Sequence, residues 1–92
     1  MSLDQLRYFV AVADTGSTHA AARVCHISQP PLSRHIKALE DELGIDLFAR
    51  TPRGMALLPS GERFLGHARA ILQAVDAAVH DITRGPPRGA DP

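Results

Sequence analysis

A mainly α-helical fold, with three short helices, a two-stranded hairpin and one long C-terminal helix, is what this sequence predicts. Three observations carry the prediction. The 92 residues include three Phe, one Tyr and no Trp, so Leu, Ile, Val and many Ala must fill the core. That composition favours packed helices, in one domain near the size where a single core is marginal. Apolar residues recur at steps of three and four over most of the chain. The strand-like signal is confined to two short apolar runs on either side of a Pro/Gly turn.

The elements follow in order. Ser2 with Gln5 three residues later fits a capping box. Leu3, Leu6, Phe9, Val10 and Ala13 then keep helical spacing to Gly16, a left-handed cap. Ser17 is placed to cap a short second helix, Thr18 to Cys25, whose Ala20-Ala21-Ala22 run permits close packing. A third helix is expected from Ser28 to Leu43, stopped by Gly44. Helix, short turn and helix with a small-residue face is a helix-turn-helix. Ile45–Arg50 and Met55–Leu58 flank Thr51-Pro52-Arg53-Gly54 and read as a hairpin with a basic tip, a wing. From Ser60 to Arg84 the pattern is helical again, about 37 Å at 1.5 Å per residue. The domain boundaries expected are 1–58 for the winged unit, 59–84 for a linker helix and 85–92 for a breaker-rich flexible tail.

The third helix holds most of the chemistry. It opens with Pro30-Pro31, tolerated only in a first turn, where backbone N–H groups have no intrahelical partner. With Leu32 set to zero and about 100° per residue, Ile36, Leu39 and Leu43 fall within about 40° of it. Gln29, Ser33, Lys37, Pro30 and Arg34 spread over roughly 60° to 200°, on the opposite side. Gln and Arg make bidentate contacts to adenine and guanine edges, Ser is adaptable, and Lys suits phosphate. One face core and one face hydrogen-bonding fork is a helix shaped for a DNA major groove. Ser28 would normally cap through the second and third helical amides, but these are prolines, so its hydroxyl is left for a phosphate. Lys37 has Asp41 four residues on and could be held in an intrahelical pair instead. Glu40-Asp41-Glu42 in the last turn opposes the helix dipole, so only the N-terminal half of this helix is expected to enter the groove.

Charge argues weakly the other way. Ten Lys plus Arg balance ten Asp plus Glu, unlike many DNA-binding domains. Distribution restores the case: no acid lies between Asp14 and Glu40, while Arg23, Arg34, Lys37, Arg50 and Arg53 run from the second helix to the hairpin. The single Cys25 excludes an internal disulfide and fits a reducing, cytoplasmic setting. No signal peptide and no bilayer-spanning segment is visible. His19, Cys25 and His26 lack the further ligands a zinc site needs. No paired carboxylates or nucleophile elbow suggest an enzyme. A core thiol and surface histidines, no metal, no cofactor and no catalysis are therefore expected.

In sequence, the chain resembles the N-terminal DNA-binding domain of LysR-type transcriptional regulators, a bacterial family. The resemblance runs from residue 1 to about 84. It rests on Leu6-Arg7-Tyr8-Phe9, Gly16-Ser17 before Ala20-Ala21-Ala22, Ser28-Gln29-Pro30-Pro31-Leu32-Ser33, Leu39-Glu40, Leu43-Gly44, Leu47-Phe48, Arg50, Arg53-Gly54 and Gly61. It implies a winged helix-turn-helix whose linker helix pairs antiparallel in a homodimer, binding interrupted palindromes in double-stranded promoter DNA. Carried over by position, it implies base contacts from Gln29, Pro30, Pro31, Ser33 and Arg34. Thr18, Ser28, Lys37 and Arg50 are implied near phosphates, and Arg53 near phosphate or the minor groove.

The stripe Phe64, Leu65, Ala68, Ile71, Leu72, Val75, Ala78, Val79 and Ile82 is longer than so small a domain can cover, and is expected to face a partner helix. Three departures from the family stand out. Leu58 replaces the usual Thr that caps the linker helix, unless Ser60 caps a helix starting two residues later. Cys25 stands where leucine is common. The family's larger effector-binding domain has no counterpart in these residues, so the chain is expected to be either, by preference, an excised piece of a longer regulator or a chain that never had that domain, with any small-molecule effector acting only through it. The alternative function is a winged-helix dimer that binds protein as an adaptor, for which net zero charge is the best support.

Overall fold

The computed structural model describes residues 1–84, and the expectation of a flexible tail falls outside them. Helix α1 (Leu3–Thr15) starts with Gln5 N–H donating to Ser2 Oγ at 3.1 Å and ends at Gly16 with φ 70°. The expected capping box forms only by half. The Gln5 side chain turns away, its Nε2 lying 3.5 Å from His35 Nδ1, while its Oε1 is buried without a partner. Helix α2 (Thr18–Val24) is capped by Ser17, whose Oγ accepts from Ala20 N–H at 3.1 Å. It stops one residue short of the expected end. Helix α3 (Gln29–Leu43) follows, with Ser28 as its cap residue and Gly44, φ 69°, closing it.

One apolar cluster unites these helices. Leu32, Ile36 and Leu39 of α3 meet Leu6, Phe9 and Val12 of α1 and Ala21 and Ala22 of α2, all buried. The two alanines let α2 approach closely, as the small-residue run predicts. Phe9 lies at the centre, its ring 5.3 Å from that of Phe48 and 5.2 Å from that of Phe64. Tilted and edge-on aromatic pairs of this kind are worth about 0.5–1.5 kcal/mol beyond area burial. They tie α1, the wing and the long helix together.

The wing is an antiparallel pair, β1 (Phe48–Thr51) and β2 (Gly54–Leu57), in the register Phe48↔Leu57 to Thr51↔Gly54. Its first strand starts three residues later than the sequence suggests. Ahead of it, Leu47 N–H and Phe48 N–H donate to Glu40 Oε2 at 2.7 and 3.2 Å, and the Leu47 carbonyl accepts from Leu58 N–H. Ile45 is left 48% exposed. Two glycines fix where the wing sits. Gly54 has φ 124°, and a Cβ there would lie 2.3 Å from the Gly16 carbonyl oxygen, which accepts from Met55 N–H at 3.0 Å. The wing is thereby hooked onto the α1–α2 turn. A Cβ on Gly61 would lie 2.1 Å from the Leu47 carbonyl, so the long helix can dock only with glycine there.

Helix α4 (Pro59–Arg84) begins at the proline, and Ser60 does not cap it. The Ser60 hydroxyl donates instead to the Asp46 carbonyl at 2.6 Å. The first half of α4 packs on its own domain: Ala68 is fully buried, and Phe64, Leu65 and Leu72 lie against the core. An ion pair at 2.6 Å from Arg69 to Asp14 holds the same face. The expectation that the whole stripe faces a partner is therefore corrected, because Phe64, Leu65, Ala68 and Leu72 are covered at least in part by the chain's own core. Further along, exposure rises through Ile71 (41%) and Val79 (56%) to Ile82 (80%).

Candidate nucleic-acid interface

The first turn of α3 opens toward solvent beside the N-terminus of α2. Gln29 sits between two hydroxyls, its Nε2 donating to Thr18 Oγ1 at 3.1 Å and to Ser33 Oγ at 2.6 Å. Three residues singled out by the sequence thus form one network spanning α2 and α3. Pro30 is exposed, Pro31 is half-buried, and Ser28 is exposed with no capping bond to occupy its hydroxyl. The last point follows from the prolines at the first helical positions, which offer no N–H. Arg34 is exposed on the same side as Pro30. Among the described residues it has no ion-pair partner.

Lys37 is the exception within α3. Its Nζ lies 3.1 Å from Asp41 Oδ1, in the i,i+4 pair that the spacing allows. The Asp41 hydrogen bond and charge push its ammonium pKa above the ordinary lysine value. The charge is fully exposed, so it stays screened by water and by salt.

The wing supplies the second set of cations. Arg50 and Arg53 are exposed and free of ion pairs among the described residues. At the tip, Thr51 Oγ1 donates to the Gly54 carbonyl at 3.0 Å and accepts from Arg53 N–H at 3.2 Å, which sets the backbone that carries Arg53. A cleft between α2 and the wing is lined by Thr18, His19, Arg50 and Thr51. It brings the hydroxyl of Thr18 and the guanidinium of Arg50 to one concave edge, a pairing suited to a phosphate strand.

Sequence reasoning missed Glu40 as the carboxylate that holds the wing, and the clamp of Thr18 on Gln29. The Gln29–Ser33 half of that clamp had a signal, the i,i+4 spacing. Thr18 is eleven residues away and had none. The acidic cluster is accounted for residue by residue: Glu40 accepts from the wing backbone, Asp41 pairs with Lys37, and Glu42 pairs with the N-terminal ammonium. Cys25 is partly buried and its thiol pKa is raised by that burial, as fits a packing residue. Among the described residues no three His, Cys, Asp or Glu side chains cluster as metal ligands. No helix there is long and apolar enough to cross a membrane.

Two helices, α2 and α3, joined by a tight turn, a hairpin hooked onto the α1–α2 turn that precedes them and a long trailing helix define the class: a winged helix-turn-helix domain. The family model for bacterial regulatory helix-turn-helix proteins, lysR family, matches residues 3–62. The chain belongs to that family. It is 51% identical over 89 residues to the HTH-type transcriptional regulator TfdS of Cupriavidus pinatubonensis, covering 97% of this chain and 30% of that protein. To ClcR of Pseudomonas putida it is 53% identical over 76 residues, 83% of this chain and 26% of that one. The chain thus spans less than a third of the length of these curated relatives. Among solved structures, the BenM_DBD/catB site 1 DNA complex matches with TM-score 0.88 and 45% identity over 91% of this chain and 94% of that one. The CbnR_DBD–DNA complex matches with TM-score 0.82 and 44% identity over 91% and 95%.

Proposed function

We propose that this chain is a sequence-specific DNA-binding domain that engages an interrupted palindrome in duplex DNA as a homodimer. The N-terminal half of α3 enters the major groove, where Gln29, Pro30, Pro31, Ser33 and Arg34 meet base edges. Thr18, Ser28 and Arg50 hold phosphates, and Arg53 at the wing tip reaches the backbone or the adjoining minor groove. Lys37 assists only when it leaves Asp41. The exposed half of α4, carrying Ile71, Val75, Ala78, Val79 and Ile82, pairs with the same segment of a second copy. In such a dimer two α3 helices reach successive major grooves about one turn, roughly 34 Å, apart.

The observation that carries this reading is the Thr18–Gln29–Ser33 network beside an exposed Arg34 that has no ion pair among the described residues. A preorganised polar cluster at a helix N-terminus, where the dipole favours phosphate, has no role in the core and faces outward. Related DNA-binding domains solved with DNA give the reading further support. The test is selection of bound duplexes from a random pool, followed by footprinting of the winners. A two-fold interrupted site supports the proposal; no enrichment, or protection of a single half-site only, contradicts it. The adaptor reading predicts protein partners and no loss of duplex affinity with salt, since only phosphate contacts release counterions.

A further inference from the structure

A primary amide offers two N–H donors and one carbonyl acceptor. When glutamine reads adenine unaided, one N–H goes to N7 and the carbonyl accepts from the N6 amino group. Gln29 has neither N–H to spare, because Nε2 donates to Thr18 Oγ1 and to Ser33 Oγ. Its Oε1 is the polar atom left for DNA. Each hydroxyl, having accepted from the amide, keeps its own proton to donate elsewhere. We propose that Thr18 and Ser33 fix the hydrogen-bonding polarity of Gln29, so that Gln29 and Ser33 read one adenine per half-site as a composite fork. The N6 amino group donates to Gln29 Oε1, and the Ser33 hydroxyl donates to N7. Thr18 is a positioning residue, and its remaining proton is free for a phosphate. This rests on the DNA-binding reading above.

The polarity has a consequence for the competing purine. Guanine presents acceptors at both N7 and O6. A glutamine held with its carbonyl outward would set Oε1 against O6, two acceptors with no proton between them. Turning the amide end for end would draw both hydroxyl protons inward and leave two N–H groups outward, a pattern that takes guanine instead. The three side chains thus choose between purines through the direction of their hydrogen bonds, with Thr18 contributing from a different helix.

The test uses duplexes selected by the wild-type chain and by Gln29→Ala; the position that loses its preference is the one Gln29 reads. That position is expected to be A·T. Replacing its adenine with purine, which lacks the N6 amino group, or with 7-deazaadenine, which lacks N7, should each weaken wild-type binding by roughly tenfold. In Gln29→Ala the first penalty should vanish while the second persists, because the Ser33 hydroxyl still donates to N7; loss of both together would overturn the composite fork. In Thr18→Val, one amide N–H is released, and the preference for adenine over guanine should fall by about tenfold. Thr18→Ser should retain it, with thermal melts confirming that each variant is folded. A G·C pair at the Gln29 position overturns the inference. So does a Thr18→Val variant that weakens adenine and guanine duplexes equally, since that is the signature of a phosphate contact alone. A wild-type chain that selects no sequence overturns the DNA-binding reading and this one together.

Discussion

Glu40 shows how one side chain can be misjudged from its position in a helix. Near the C-terminus of α3 a carboxylate opposes the helix dipole, and on that ground alone its removal should stabilise the domain. In the structure its Oε2 accepts from Leu47 N–H and Phe48 N–H, which would otherwise lack partners where the chain turns into the wing. Glu40→Ala is therefore expected to destabilise by about 1–3 kcal/mol, the usual effect of stranding hydrogen-bonding groups. Chemical denaturation reads the sign directly. Leu58 gives the opposite case. It is half-buried, lies outside β2, and is absent from the side chains packed on the core. Since α4 starts at Pro59, a hydroxyl at position 58 has free amides to accept from. Leu58→Thr should stabilise by about 0.5–1 kcal/mol. A clear drop in the melting temperature would mean the leucine matters more than the cap.

At the scale of elements, much of the fold is legible in the sequence because its signals are local. Ser2, Ser17, Gly16 and Gly44 each act within one turn, and all four cap as expected. The wing is displaced because its first strand waits on Glu40, eight residues before the strand begins. Nothing in the run Ile45-Asp46-Leu47 announces that. The division of α3 into a buried apolar face and an exposed polar face follows from periodicity, but the Thr18 clamp comes from packing α2 against α3 and has no local signature. The two elements that carry exposed arginines should fail differently. Arg34→Ala, on the exposed face of α3, is expected to cost about 1–3 kcal/mol on the selected duplex and to relax selectivity at one position per half-site. Arg53→Ala, on the wing, should weaken selected and scrambled duplexes alike and lower the salt slope by about one per monomer. Equal weakening of both duplexes by Arg34→Ala would reduce it to a phosphate clamp.

For the whole molecule, the division of α4 decides how the dimer must be tested. Leu72 packs partly on its own domain, so a charge there would confound folding with association. Val79 and Ile82 are 56% and 80% exposed and lie outside the core cluster. Val79→Glu with Ile82→Glu should leave the monomer's melting temperature nearly unchanged, yet yield monomer on sedimentation at micromolar concentration. Operator affinity should then fall by more than any single contact explains, because one half-site loses the effective concentration its partner supplies. An intact dimer would place the interface elsewhere. In the proposed reading, this electrically neutral chain binds duplex DNA through a locally basic face. That reading is tested most directly by the salt dependence of affinity for the selected duplex beside a scrambled one. With Arg50 and Arg53 from each of two subunits on phosphates, log affinity should fall against log salt with a slope of about −4, and the selected duplex should stay tighter throughout. A flat salt profile with equal affinity for both duplexes would contradict the account.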